Sequence, residues 1–132
     1  MIEHSKSVRL GIKKSLMVVD MPFNTYKNNK EALRNAKKIM SQTGCDAVKL
    51  EGGKKIAKTI NFLIRNKIPV MGHIGLLPQS ETGKFSFKGK KNFVRHKIFN
   101  DAQLLESAGV FSIVLEFVES SLAKLITNTI SI

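Results

Sequence analysis

Four short apolar runs in this chain each deliver a titratable side chain at their carboxyl end. Ser15–Val19 leads to Asp20, Ala47–Leu50 to Glu51, Val70–Gly72 to His73, and Ser112–Leu115 to Glu116. Lys49 stands two positions before Glu51, so on a strand the two side chains share a face. Carboxylates, an imidazole and an ammonium group are the residue types of proton transfer and of holding small charged ligands. In parallel α/β folds that chemistry sits at the carboxyl ends of the strands. Each residue alone also has a plainer reading. His73 could be a loop histidine, Asp20 and Glu51 surface or capping acids, Lys49 a charge partner for Glu51, and Glu116 a salt-bridge acid. One pattern recurring at four strand ends favours a shared site.

The stretch Val70–Ser80, Val-Met-Gly-His-Ile-Gly-Leu-Leu-Pro-Gln-Ser, is the most distinctive in the chain. Gly72 and Gly75 flank His73 and are expected to let a ligand come close to the backbone. Pro78 then stops regular structure.

The elements that must position these residues follow from periodicity. Met1–Gly11 reads as a helix ended by Gly11, and Ser15–Asp20 as the first strand. Asn28 with Glu31 makes a capping box, and Ala32, Leu33, Ala36, Ile39 and Met40 form the buried stripe of a helix closed by Gly44. Asp46–Gly52 is the second strand, and a helix runs from Lys54 to Asn66. Val70–His73 is the third strand. The basic segment Gly75–Lys97 is long for a connection, which marks a functional lid or a core-covering loop packed through Phe85, Phe87 and Phe93. Ile98, Ala102, Leu105 and Ala108 mark a helix closed by Gly109, and Val110–Val118 holds the fourth strand. A short helix through Leu122, Leu125 and Ile126 follows, and Ile130–Ile132 reads as the start of another strand. Regular β-α alternation implies parallel strands with right-handed crossovers.

Composition narrows the class. The 132 residues suffice for a core, and 42% hydrophobic content is ordinary for a globular protein. No apolar stretch approaches the roughly 20 residues of a membrane helix, and Met1–Lys14 lacks the apolar centre of a signal peptide. A single cysteine, Cys45, excludes an internal disulfide and suits a reducing, cytoplasmic setting. The histidines lack zinc-site spacing, and Gly52-Gly53 is too short for a phosphate loop. Net charge is +12, from 22 Lys+Arg against 10 Asp+Glu. The lysines fall mostly on polar helix faces or in one loop, with no nucleic-acid motif beside them, so solvated faces are favoured over polyanion binding.

Four pieces together resemble the ketopantoate hydroxymethyltransferase family: Val18–Phe23, Val48–Gly53, Pro69–Ser80 and Val114–Glu116. The resemblance covers nearly the whole chain. It implies α/β architecture, a partial TIM (β/α)₈ barrel of about four to five parallel strands with intervening helices. The region matched is the middle of the family's chain, so residues 1–132 are expected to be a single partial barrel domain, truncated at both ends. The family's upstream Asp-Ser strand end and its downstream glycine-rich segment are absent. Two departures are local: the loop after Ser80 is shorter than the family's, and Glu119 replaces its usual proline.

The resemblance implies hydroxymethyl transfer from 5,10-methylenetetrahydrofolate, as co-substrate, to 3-methyl-2-oxobutanoate, giving 2-dehydropantoate in pantothenate biosynthesis. Mg2+ is the implied cofactor, on Asp20 and Glu51, stabilising an enolate as a Lewis acid. Asp20, Lys49 and His73 are the implied substrate-binding residues, with His73 the least defined. Glu116 is the expected base, its carboxyl helped by an apolar strand end. Expected partners are the 2-oxo acid and folate, with a homo-oligomer for the full-length protein, and neither membrane nor nucleic acid. Two other functions stay open: a metal-dependent 2-oxo acid carbon–carbon lyase on the same barrel, and a basic, non-enzymatic polyanion binder.

Overall fold

The computed structural model describes residues 1–83 and 85–132; Lys84, within the expected basic loop, lies outside the described residues. Helices and strands alternate: α1 Ile2–Gly11, β1 Val18–Asp20, α2 Asn29–Thr43, β2 Ala47–Glu51, α3 Ala57–Arg65, β3 Val70–Gly75, α4 Asn92–Ala108, β4 Ser112–Glu116 and α5 Ser120–Thr129. The strands form one parallel sheet in the order β1-β2-β3-β4. This is the β/α alternation of part of a TIM barrel.

Local chemistry sets the elements. Asn28 caps α2 by accepting the Glu31 N–H at 3.0 Å, and Gly44 ends that helix at φ 66°, donating to Met40 O at 2.9 Å. Gly109 ends α4 in the same left-handed region, at φ 97°. Sheet register fixes which side chains share a face. Val19, Val48, Leu50, Val70 and Ile74 point toward the helices and are buried against Ala36, Ile60, Leu63, Leu105 and Leu122. The opposite face carries the polar side chains, because Asp20 pairs with Lys49, Glu51 with His73, and Gly75 with Glu116. Strand pleating places residues two apart on one side, so all five candidate residues share that second face.

Several expected boundaries move. β1 begins at Val18 rather than Ser15, because the Met17 N–H donates to the Asp46 carboxylate at 2.8 Å instead of to a neighbouring strand. α3 begins at Ala57, after a turn in which the Lys54 N–H donates to Asp101 Oδ1 at 2.8 Å. α4 starts earlier than its apolar stripe, at Asn92. Ile130–Ile132 is no strand; Ile130 is extended, but the Ser131 N–H goes to the Glu106 carboxylate at 2.6 Å.

The two glycines beside His73 also make room for protein. Gly72 lies on the helix-facing side, where a Cβ would come within 2.8 Å of Leu105 Cδ1. Gly75 has φ 99°, and a Cβ there would meet Glu116 O at 2.2 Å. Both let neighbouring protein atoms come close. Among the described residues the basic loop has one aromatic stack. Phe87 stacks on Phe117 at 4.5 Å between centroids, whereas Phe93 is 82% exposed.

Candidate active site at the carboxyl end of the sheet

The side chains at this mouth pair across the strands. Lys49 Nζ lies 3.2 Å from Asp20 Oδ1, so its partner is Asp20 and not Glu51. His73 sits between two carboxylates, with Nε2 3.2 Å from Glu116 Oε2 and Nδ1 3.7 Å from Glu51 Oε1. The imidazole is 1% exposed, yet neither ring nitrogen has an aligned hydrogen bond. A buried ring with two orphaned nitrogens between two acids is an incomplete arrangement, the kind a ligand completes. Glu51 is nearly buried and accepts the Gln79 N–H at 3.2 Å. Glu116 is more open, its side chain 38% exposed to the mouth.

Three elements hold these groups in place. Gly52 continues past β2 and donates to His73 O at 2.9 Å, tying the Glu51 strand end to the His73 strand. Immediately after Glu116 the chain turns at Phe117, a bulky residue at φ 54°. The loop before α4 fastens that turn: Lys88 N–H donates to Phe117 O at 2.8 Å and Glu119 N–H to Lys88 O at 2.9 Å. Glu119 has φ −57°, an angle proline could take, but a proline would lack the second of these bonds. Its carboxylate caps α5 through the Ser121 and Leu122 N–H groups, both at 3.1 Å, and pairs with Arg95 at 3.1 Å.

All of residues 1–132 match the family model described as ketopantoate hydroxymethyltransferase. The chain belongs to that family. Among curated relatives, the 3-methyl-2-oxobutanoate hydroxymethyltransferase of Pelagibacter ubique is 70% identical over the full chain, which covers 51% of that protein. Those of Bartonella tribocorum and Flavobacterium johnsoniae are 49% and 46% identical over the full chain, covering 50% of each. The chain spans about half the length of the curated relatives it matches.

The donor set bears on the metal expected for this family. Asp20 and Glu51 are two carboxylates on one face of adjacent strands, the oxygen chemistry Mg2+ takes while keeping several waters. Among the described residues no third acid, histidine or cysteine joins them in a metal-binding group. The pair therefore fits a cation held by few protein ligands, with substrate or solvent oxygens supplying the others. No helix among the described residues is long and apolar enough to cross a membrane.

Two residues at this mouth escaped sequence reasoning. Tyr26, in the connection between β1 and α2, has its phenol pKa pushed up by burial, then by the Glu51 and Asp20 carboxylates, while the Glu51 backbone works the other way. Its signal was only an aromatic residue soon after a strand end. Asp101 on α4 is buried at 6% exposure, accepts the Lys54 N–H, and lies 3.4 Å from Lys97 Nζ. It packs so tightly on Gly53 that a Cβ there would lie 2.1 Å from its Cγ. An acid on the apolar stripe Ile98–Ala102–Leu105 was a readable sign that helix and loop are joined there.

Proposed function

We propose that this chain carries the core of a site that transfers a hydroxymethyl group from 5,10-methylenetetrahydrofolate to 3-methyl-2-oxobutanoate, giving 2-dehydropantoate in pantothenate biosynthesis. The observation that carries this reading is His73 bracketed by Glu51 and Glu116, on the same face as the Lys49–Asp20 pair, in a chain of this family. We assign Glu116 as the acceptor of the C3 proton, a role supported by its partial opening to the mouth and by the oxygen that faces His73. The neighbouring imidazole can donate to that carboxylate or to a substrate oxygen, using a nitrogen that has no partner now. Lys49 supplies positive charge for the substrate carboxylate, and its pairing with Asp20 keeps it in place. Asp20 and Glu51 would hold Mg2+. Bound there, Mg2+ would act as a Lewis acid on the keto group.

The direct test is exchange of the C3 proton of 3-methyl-2-oxobutanoate for deuterium, followed by NMR in the whole protein with Mg2+ and without donor. Exchange that needs the metal is expected. Its absence from a folded protein would contradict the reading, and a preference for a cleavable dicarboxylate in a substrate panel would favour the lyase alternative. A cytoplasmic homo-oligomer belongs to the same proposal, with sedimentation of the whole protein as the check on assembly.

A further inference from the structure

Little holds the side chain of Glu116. Its carboxylate faces His73 Nε2 at 3.2 Å without an aligned hydrogen bond, and it has no other ion-pair partner among the described residues. A side chain so loosely tethered takes its aim from its backbone and from the shell that supports it. That backbone is gripped from outside β4. The Leu76 N–H donates to Glu116 O at 2.8 Å, and the Lys88 N–H donates to Phe117 O, also at 2.8 Å. Lys88 O in turn accepts the Glu119 N–H at 2.9 Å, and the Lys88 ammonium pairs with Glu81 at the start of the same loop.

Phe117 is the outlier in this grip. Its φ of 54° lies in the left-handed region, where a bulky side chain is strained and glycine is not. Strain of this kind persists only where the surrounding structure imposes it, and it gathers at functional sites. The ring supplies what glycine would lack. It stacks on Phe87 with centroids 4.5 Å apart and planes 6° apart, and Lys90 Nζ lies 5.7 Å from the Phe87 ring centroid. Both rings stay half-exposed, so the stack buries little. What it does is fasten the residue next to Glu116 to the loop between β3 and α4.

We propose that the stack of Phe87 on Phe117 positions Glu116, holding the strained turn after β4 so that the carboxylate stays aimed at His73 and at the proton to be removed. Phe87 and Phe117 are positioning residues in this account, because they act through Glu116. The inference rests on the reading of Glu116 as proton acceptor and adds the residues that fix its aim. Without the stacked ring, the turn relaxes toward negative φ. That rotates the peptide between Glu116 and Phe117 and carries the carboxylate off line. A misplacement of about 1 Å at a reacting group costs up to about a hundred-fold in rate.

Phe117→Gly in the whole protein separates aim from stability, because glycine lifts the strain while it loses the stack. Its Tm should stay close to that of the wild type. Its kcat for deuterium exchange at C3, with Mg2+ and without donor, should fall at least about ten-fold while KM stays within about two-fold. Phe87→Ala leaves the residues of the turn intact and should show the same split; it decides alone if Phe117→Gly fails to fold. Phe117→Tyr and Phe87→Tyr keep a stacked ring and should exchange at the wild-type rate. Wild-type exchange in Phe117→Gly or Phe87→Ala, a loss carried by KM alone, or tyrosine variants as slow as the ringless ones overturns the inference. Glu116→Gln separates the two failures. Exchange lost in Glu116→Gln but kept in Phe117→Gly and Phe87→Ala removes the role of the stack alone. Exchange that survives Glu116→Gln, or is absent from folded wild type, removes the reading of Glu116 and the inference with it.

Discussion

Glu116→Gln keeps the size of the side chain and removes its basicity. If Glu116 takes the C3 proton, deuterium exchange should slow by at least about a hundred-fold, the lower end for a positioned general base. The group is partly exposed, so thermal stability should change little, and calorimetry on the same sample checks this. Asp101 and Gly53 make a second prediction about stability. Asp101→Ala leaves the Lys54 N–H without its acceptor, a loss of about 1–3 kcal/mol. Gly53→Ala drives a methyl group into Asp101, and overpacking of this kind costs about 1–3 kcal/mol. Gly11→Ala, where nothing lies within 4 Å, is the matched control and should be nearly neutral in denaturant titration. Glu119 carries a pH prediction. The Ser121 hydroxyl first, then the Ser121 and Leu122 N–H groups and Arg95, hold its pKa down to about 2, below its ordinary value of 4.5. A lowered folded pKa means stabilisation that is present above the ordinary value and is lost as pH falls toward about 2. The protection of α5 amides, relative to their intrinsic exchange rate at each pH, should therefore fall between pH 5 and pH 2.5, and Glu119→Gln should lack that part of the change.

At the scale of elements, the apolar runs and helical stripes marked every strand and helix except their ends. The ends were hard to read because side chains decide them. Asp46 intercepts the Met17 N–H and shortens β1, Asp101 takes the Lys54 N–H before α3, and Glu106 takes the Ser131 N–H where a strand was expected. None of these partners is near in sequence. The strand-end acids, by contrast, were legible because each closes a short apolar run, and the alternation of side chains along a strand fixes the face. What periodicity could not give was pairing: Lys49 faces Asp20 across the strands rather than Glu51 along its own. The loop before α4 was legible as long and basic, but its anchoring was not. It holds through Phe87 on Phe117 and two backbone bonds at Lys88. Phe87→Ala should remove about 0.5–1.5 kcal/mol of stacking and raise deuterium uptake at residues 85–91 without unfolding the sheet.

At the scale of the molecule, four strands form an open sheet with β1 and β4 at its edges. The face that bears Lys49, Glu51 and His73 has no second layer of strands over it among the described residues. Open edges and exposed apolar groups such as Leu10, 89% exposed, favour association between copies. The 132-residue chain expressed alone should therefore aggregate and show no exchange activity; a soluble monomer with a cooperative melt would contradict this. The net charge of +12 was visible from composition, but its distribution was not, because only the fold sets Lys54 and Lys55 on one cavity and Lys27 and Lys55 on the next.

The most direct measurement is a crystal structure of the whole protein with 3-methyl-2-oxobutanoate and Mg2+. The expected result is one metal ion on Asp20 and Glu51, the keto acid between it and His73, its carboxylate toward Lys49, and C3 within about 3.5 Å of a Glu116 oxygen, the reach of a reacting pair. A keto acid seated away from this mouth, or a Glu116 carboxylate turned from C3, would contradict it.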